Sequence, residues 1–490
     1  MRRLSDLIAG DAALSGDGSV MIAGLTADSR AVKPGFLFAA LPGSRADGRA
    51  FVAQAVAAGA AAVLLPQGPL PEDLPQGVAV VTAGEPRHAF ALMAARFHGR
   101  QPATVCAVTG TNGKTSTAVF TQQLWAALGH RGAALGTLGI VGGGLDRAGS
   151  LTTPDPVALH AMLAEAAAAG CTHLCMEASS HGLDQHRLDG VDVAAAAFTN
   201  LTRDHLDYHG TVEAYLAAKT RLFTDVLRPG GTAVLNADVP EFALLEAAAM
   251  SAGRKVVSYG ERGDALRLLK RMPTATGQHL DLRVAGTGYS VDLPLAGGFQ
   301  AMNALAALGL VIAGGADPAR AVAALEALSG VPGRLEAVGA TAEGASVFVD
   351  YAHTPDALET VLAALRPHAA GRLVVVFGCG GDRDRGKRPQ MGAIAARLAD
   401  AVTVTDDNPR SEDPAAIRAE VLAGCPDAAE IGDRRAAIRS AVAGLKAGDV
   451  LVIAGKGHES GQTVGTTVLP FDDRVEARAA LATLNEGGPR

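Results

Sequence analysis

Tryptophan occurs once in this chain of 490 residues, aromatic residues make up 4% of it, and cysteine appears only five times. The cysteines, Cys106, Cys171, Cys175, Cys379 and Cys425, form no Cys-x-x-Cys pair, so neither a zinc site nor a disulfide framework is expected. A reducing compartment, the cytoplasm, is the expected location. No uncharged apolar run reaches the roughly 20 residues that a membrane-spanning helix needs. The arginines at the start are followed by acidic residues before any long apolar core, which does not read as a targeting segment. Positive charge is also in short supply. A net charge of -7 argues against a nucleic-acid partner, whose phosphates select a basic face, and leaves small molecules as the better ligands.

Hydrophobic residues, in contrast, reach 48%, enough for several buried cores in a multidomain protein. Short β-branched runs alternate with longer alanine- and leucine-rich stretches, the pattern of an α/β fold around mainly parallel sheets. Strands are expected at TVCAVTG (from 104), LCMEAS (174 to 179), VAAAAFTN (193 to 200) and GTAVLNAD (231 to 238). A second series follows at SVFVDYAH, RLVVVFGCGGD, AVTVTDDN and DVLVIAGKGHE. Each runs from apolar into polar residues at its C-terminal end, where open α/β sheets collect their ligands. Gly/Pro-bearing breaks at FHGRQP (97 to 102) and SGVPGR (329 to 334) divide the chain into expected domains at 1–99, 100–330 and 331–490.

The stretch TGTNGKTS carries the most specific chemistry. Between a strand and a helix, Gly110, Thr111, Asn112, Gly113, Lys114, Thr115 and Ser116 form a phosphate loop: backbone N–H groups and the helix N-terminus face an anion, Lys114 reaches phosphate oxygens, and the Thr115 hydroxyl can ligate Mg2+. Val108 stands where such a loop normally opens with glycine. In MEASSHGLDQHRL, Glu177 lies at a strand end; in FTNLTRDHLDYHG, His205 stands between Asp204 and Asp207. The two loops either place a cation beside the phosphates or only order strand ends through hydrogen bonds. Lys219, in the helical run EAYLAAKTRLF, either reaches solvent or is buried as a neutral amine able to take up carbon dioxide as a metal-binding carbamate. Later strand ends gather Asp350 and His353, then Arg383, Arg385, Lys387 and Arg388, then Asp407, Asn408 and Arg410, and finally Lys456, His458 and Glu459. Because the second and third of these sets follow consecutive strands of one sheet, they are expected to point into one crevice that suits an amino acid's carboxylate and ammonium; Asp350 and His353 serve nucleotide or interdomain contacts or only stabilise loops, and Glu459 either holds a substrate ammonium or belongs to an ordinary glycine turn.

The ordered set ADSRAVKPGFLF, TGTNGKTS, TTPDP, MEASSHGLDQHR, FTNLTRDHLDYHG, YLAAK, DYAHTPDAL, GCGGDRDRGKRP, DNPR and GKGHE resembles the Mur ligase family, ATP-dependent amide-forming enzymes of peptidoglycan precursor synthesis. It is most similar to the branch that adds meso-2,6-diaminopimelate to UDP-N-acetylmuramoyl-L-alanyl-D-glutamate. The resemblance implies an N-terminal domain for the uridine nucleotide, a central P-loop-type ATPase domain, and a C-terminal Rossmann-like domain for the amino acid. It implies that Ser29 lies in the uridine-nucleotide site and that Thr152, Thr153, Ser179, Gln185 and Arg187 hold the muramoyl dipeptide. Leu151 departs from the polar residue expected beside them. The phosphate loop, with Asn303, Arg334, Asp350 and His353, would face ATP; Thr115, Glu177, His205 and Lys219, the last as a carbamate, would hold Mg2+. Lys114, His205 and Lys219 would be catalytic. Arg383, Asp407, Asn408, Pro409, Arg410, Gly455 and Glu459 would bind diaminopimelate. An acyl-phosphate route follows, with closure about the two breaks expected to keep water out. A lysine-adding relative, a folylpolyglutamate synthase-like ligase and a nucleotide-binding scaffold protein are the alternatives.

Overall fold

The computed structural model describes residues 1–8, 12–43, 47–69, 77–149 and 151–486. The chain separates into two compact units: Met1–Leu266 with Leu305–Ala321, and Arg267–Ala304 with Val322–Arg490. The expected break near residue 100 therefore falls inside the first unit and the one near 331 inside the second.

Among the described residues the first unit contains a two-stranded antiparallel ribbon, Arg2–Arg3 with Met21–Ile22, and two larger sheets. In the smaller of these two sheets, Gly24–Thr26, Phe36–Ala39, Ala62–Pro66 and Ala79–Ala83 run parallel, with the short strand Ala13–Ser15 antiparallel at the edge. Helix Pro86–His98 begins with proline at its first turn, ends at Gly99 in the left-handed region, and packs Ala89, Phe90 and Met93 into the core with Leu37, Leu64 and Val81. The larger sheet has, within this unit, the strand order Gly139–Gly142, Gly132–Gly136, His173–Glu177, Thr104–Thr109, Val193–Phe198, Leu227–Asn236 and Lys255–Gly260. All pairings are parallel except that of the Gly139–Gly142 edge. Strand Thr104–Thr109 leads out to one side of the sheet, and the chain later returns past it to the other. It therefore lies at the topological switch point, where the ends of neighbouring strands part and leave a crevice.

This topology explains Val108. The residue is fully buried and pairs in register with Glu177 on one side and Ala197 on the other. The strand thus continues through the position where a typical loop already turns. The bend starts at Gly110 (φ +146°), where a Cβ would stand 1.9 Å from Thr199 Oγ1. Gly113 (φ +85°) then opens helix Lys114–Ala127.

In the second unit, Gln278–Val284 and Thr287–Leu293 form an antiparallel hairpin. A six-stranded sheet has the order Glu336–Ala340, Ser346–Asp350, Val450–Ala454, Leu373–Phe377, Ala401–Val404 and Ala429–Glu430, parallel apart from its first strand. Its period of two is plain. Phe348, Val375, Phe377 and Val452 enter one core, whereas Val347, Val349, Val376, Leu451 and Ile453 enter the other. Among the described residues the five cysteines are buried and free, and no helix is long and apolar enough to cross a membrane.

Candidate active site

The phosphate loop is held by the strand end beside it. Asn200 accepts from Thr111 N through its backbone oxygen at 2.8 Å and from Asn112 N through its side chain at 2.9 Å, while Thr199 Oγ1 donates to Asn112 O at 2.6 Å. Lys114 Nζ is folded back onto its own loop, donating to Gly110 O at 2.9 Å and Thr111 O at 2.8 Å. Gly113, Thr115 and Ser116 follow at the helix N-terminus, where backbone N–H groups favour an anion.

Glu177 ends its strand 3% exposed. Its Oε2 accepts from Thr115 Oγ1 at 3.0 Å. Thr137, which sequence reasoning missed, grips the same carboxylate with its amide at 2.8 Å and its hydroxyl at 3.3 Å, and touches Thr152 Oγ1 at 3.0 Å. Thr153 Oγ1 donates to Glu177 O at 2.9 Å and accepts from Ser179 N at 3.0 Å, so the expected substrate threonines stand at the Glu177 strand end. Ser179 itself caps helix Ser180–Asp184 through Gly182 N.

Lys219 is 1% exposed. Its Nζ donates to Gly110 O at 2.8 Å and lies 4.3 Å from the centroid of the Tyr215 ring. Burial, and then the nearby charge of Lys114, hold the amine well below the ordinary lysine range. Tyr215 is also within 3.2 Å of Thr111 Oγ1, and burial pushes its phenol up to about 12. His205, on which a left-handed φ of +53° is imposed, is half exposed, with Nε2 3.5 Å from Asp204 Oδ2. Its ring meets His181 edge-on at 4.9 Å and Tyr215 at 6.1 Å, so Tyr215 is the shared neighbour of His205 and Lys219. Of the four expected metal-holding residues, direct contact joins Thr115 and Glu177.

Two cavities lie further along this unit. One, of about 590 Å³, is lined by Asp28, Arg87, Leu151, Asp155, Gln185 and Arg187 among others; Arg187 also donates to Thr153 O at 2.7 Å and to Gln185 Oε1 at 2.8 Å. The other, of about 710 Å³, contains Ser29, whose hydroxyl is 3.4 Å from Gln54 Oε1. Asp28 and Arg87 line both, although sequence reasoning did not single them out.

In the second unit a cavity of about 400 Å³ gathers Arg383, Lys387, Asp407, Asn408, Arg410, Gly455 and Glu459 from three strand ends, and adds Tyr351 and Asp384. His353, expected beside a nucleotide, also stands in this wall, and its backbone oxygen accepts from Lys387 Nζ at 2.7 Å. Arg410 has a left-handed φ of +52° and donates to Gly381 O at 2.8 Å, while Pro409 O closely covers Gly381. Glu459 is held below the usual carboxylate range: burial works against this, but hydrogen bonds from Asn408 and Lys456 outweigh it. The expectation that the whole basic run enters this crevice is corrected. Arg385 pairs with Glu420, and the fully buried Arg388 pairs with both Glu412 and Glu420 at 2.8 Å, because two acidic residues on the neighbouring segment neutralise them. Asp350 caps Leu335 N at 2.6 Å and Ala352 N at 2.8 Å, and its carboxyl is pushed up to about 6 by burial. Arg334 lies over the Tyr351 ring at 5.1 Å, and Asn303 donates to Gln300 at 3.0 Å.

Known families were matched along the chain: residues 21–98 match the Mur ligase family catalytic domain, 108–311 the Mur ligase middle domain, and 333–457 the Mur ligase glutamate ligase domain. A protein of Caulobacter vibrioides named UDP-N-acetylmuramoyl-L-alanyl-D-glutamate--2,6-diaminopimelate ligase is 57% identical over 94% of this chain and 96% of its own length. The chain belongs to the Mur ligase family. Another family member with the same name, from Rhizobium meliloti, is 54% identical over 98% of this chain and 97% of its own. A solved Mur ligase structure of that name is 35% identical, covers 98% of this chain and 99% of its own, and superposes with a TM-score of 0.75. The Mycobacterium tuberculosis folylpolyglutamate synthase complexed with ADP and AMPPCP has a TM-score of 0.61 at 23% identity over 82% of this chain and 96% of its own, a likeness of fold alone.

Proposed function

We propose that the chain is an ATP- and Mg2+-dependent ligase that adds meso-diaminopimelate to the D-glutamate of UDP-N-acetylmuramoyl-L-alanyl-D-glutamate, in the cytoplasm. One observation carries this reading: the second unit's cavity gathers Arg383, Lys387 and Arg410 with Asp407 and Glu459. Diaminopimelate is an amino acid with two carboxylates and two ammonium groups, and such a mixed-sign wall complements it. The activity divides over residues 1–99 for the uridine nucleotide, 100–330 for ATP and 331–490 for the amino acid.

A carboxylate is a poor acyl donor. The γ-phosphoryl group of ATP passes to the side-chain carboxylate of D-glutamate, giving an acyl phosphate and ADP; an amine of diaminopimelate then attacks the acyl carbon, phosphate leaves, and the nitrogen loses a proton as the amide forms. The chain must hold two anions in line and neutralise them. Lys114 exchanges its loop carbonyls for phosphate oxygens, and Gly110, Thr111, Asn112, Gly113 and Ser116 frame the phosphates. Thr115 and Glu177, with oxygens 3.0 Å apart, suit a hard cation, and His205 with Lys219 completes the set that would hold Mg2+. Bound there, Mg2+ supplies neutralisation of phosphate charge. The buried Lys219, whose amine is held well below the ordinary lysine range, is disposed to add CO2, forming a carbamate N–C bond and releasing a proton. Thr152, Thr153, Ser179, Gln185 and Arg187 receive the muramoyl dipeptide and Ser29 the uridine nucleotide; Asn303, Arg334, Asp350 and His353 keep the nucleotide-facing role that the resemblance implies. Arg410 separates diaminopimelate from lysine, which lacks the second carboxylate. Leaving such a charge unpaired costs about 2 to 5 kcal/mol, or roughly 30- to several-thousand-fold.

The test is phosphate release from ATP and Mg2+ with the uridine dipeptide substrate, comparing meso-diaminopimelate, L-lysine and no amino acid. Release that depends on diaminopimelate is expected. Preference for lysine would overturn the amino-acid assignment, and silence with both would overturn the reaction.

A further inference from the structure

Between Gly455 and Glu459, which line the amino-acid cavity, the ammonium of Lys456 is completely buried and belongs to none of the roles above. Its Nζ donates to Asn408 Oδ1 at 2.9 Å and to Glu459 Oε2 at 3.1 Å. Thr463 N donates to the same Asn408 Oδ1 at 2.9 Å. A carboxamide has one accepting and one donating end. With an ammonium and a backbone N–H both aimed at one end, that end must be the oxygen, and Asn408 Nδ2 is turned toward Glu459 Oε2, 2.9 Å away. Glu459 Oε2 therefore carries two donors. Oε1 is left as the oxygen available to a ligand, on a side chain 34% exposed to the cavity.

We propose that Lys456 is a positioning residue for amino-acid recognition: it locks the Asn408 amide and the Glu459 carboxylate so that Glu459 Oε1 is presented to a substrate ammonium group. This rests on the ligase reading above. An isolated buried ammonium is strongly unfavourable, and here Asn408 and Glu459 supply the compensation. The converse also holds: without Lys456, the Asn408 amide loses the charge that dictates its orientation, and Glu459 loses a donor. Burial already works to raise the Glu459 carboxyl, and the groups that face it are Asn408, Lys456, His458, Tyr351 and Arg434. Removing Lys456 leaves burial with less opposition.

The test is steady-state kinetics on the full chain carrying Lys456→Met or Lys456→Gln. Lys456→Met should raise the KM for diaminopimelate by about 10- to 100-fold, the loss of one charge-assisted hydrogen bond, while the KM values for ATP and the uridine dipeptide stay unchanged. The acid limb of kcat/KM for diaminopimelate should move to higher pH as Glu459 becomes easier to protonate. Lys456→Gln keeps an N–H donor for Asn408 Oδ1, so it should recover part of the KM without restoring the acid limb. If the methionine variant fails to fold, the glutamine variant carries both readouts. A folded variant with unchanged KM and unchanged acid limb, or one in which all three KM values rise together, overturns the inference. Loss of diaminopimelate-dependent phosphate release by the unsubstituted protein would instead remove the ligase reading itself.

Discussion

Lys219 and Lys114 converge on one acceptor, the carbonyl of Gly110, at 2.8 and 2.9 Å. Burial disfavours the charged form of Lys219, and the Lys114 ammonium beside it adds repulsion, so the Lys219 amine is pushed well below its ordinary range. The sign for stability follows. As pH falls below the ordinary lysine value, the unfolded chain takes up the Lys219 proton before the folded one does, so the buried amine costs stability at neutral pH. Lys219→Met should therefore keep or raise the thermal midpoint at pH 7 while lowering phosphate release by about two orders of magnitude or more, the scale of removing one preorganised stabilising group. Near-normal turnover in a folded Lys219→Met protein would sink its assignment as a catalytic group. The strand-to-helix junction at Gly110–Ser116 was legible in the sequence because its pattern is local, a short glycine-bearing turn between strand Thr104–Thr109 and helix Lys114–Ala127. The state of Lys219 was not: whether a lysine in an apolar helix snorkels or is sealed in depends on Tyr215 and on a carbonyl 109 positions away.

At the level of elements, parallel register decides what meets Glu177. Its strand pairs with Gly132–Gly136, and Thr137 follows directly, so the amide of one strand end reaches the carboxylate of the next across 40 positions. Nothing in the local pattern around Thr137 announces this. The same pairing explains Gly136, where a Cβ would stand 2.0 Å from Glu177 Oε1. Gly136→Ala should leave the fold intact yet displace the carboxylate, raising the Mg2+ concentration needed for half-maximal rate; titration of Mg2+ against phosphate release checks this, and an unaltered requirement would contradict the metal role of Glu177. A second junction ties helix Pro86–His98 to the turn after Asp184. Asp189 Oδ2 lies 2.6 Å from His88 Nδ1, 2.7 Å from His186 Nδ1 and 3.4 Å from Arg221. Burial opposes ionisation of Asp189, but the two histidines and the Arg221 charge prevail and hold it well below the usual carboxylate range. Its stabilisation is thus complete above the unfolded value of 3.8 and is lost as pH falls below it. Asp189→Asn should flatten the acid side of the stability curve and lower stability at pH 7, as read by urea unfolding across pH; parallel curves for the two proteins would refute the junction. Strand-end polar residues were legible because open α/β sheets place them there. The fate of Arg385 and Arg388 was not, because their partners Glu412 and Glu420 lie on the segment that follows another strand.

Across the whole molecule, the glycine loop at Gly110–Ser116 and the cavity that gathers Arg383, Arg410 and Glu459 belong to different compact units, each with its own cores. Glycine and proline breaks in the sequence mark turns, whereas compactness follows which apolar faces share a core, and the hairpin of Gln278–Val284 and Thr287–Leu293 goes with the second unit. Units with separate cores are the usual setting in which unfolding ceases to be two-state. A ligand stabilises only the state it binds, by about 2.7 kcal/mol at a hundredfold excess over its Kd. Scanning calorimetry should therefore resolve two transitions. Mg2+ with a non-hydrolysable ATP analogue at such an excess should raise the one that carries the phosphate loop by roughly 5 to 10 °C. Diaminopimelate alone should raise the other, and Arg410→Ala should abolish that shift while leaving the nucleotide shift intact. Hydrogen exchange assigns the transitions, through protection at 104–116 in one case and at 378–384 with 405–412 in the other. If nucleotide alone also protected 333–353, Arg334, Asp350 and His353 would keep their nucleotide-facing role. If it protected only the phosphate loop, the nucleotide-facing role of those residues would fall, and His353 would be left as part of the cavity wall in which it already stands.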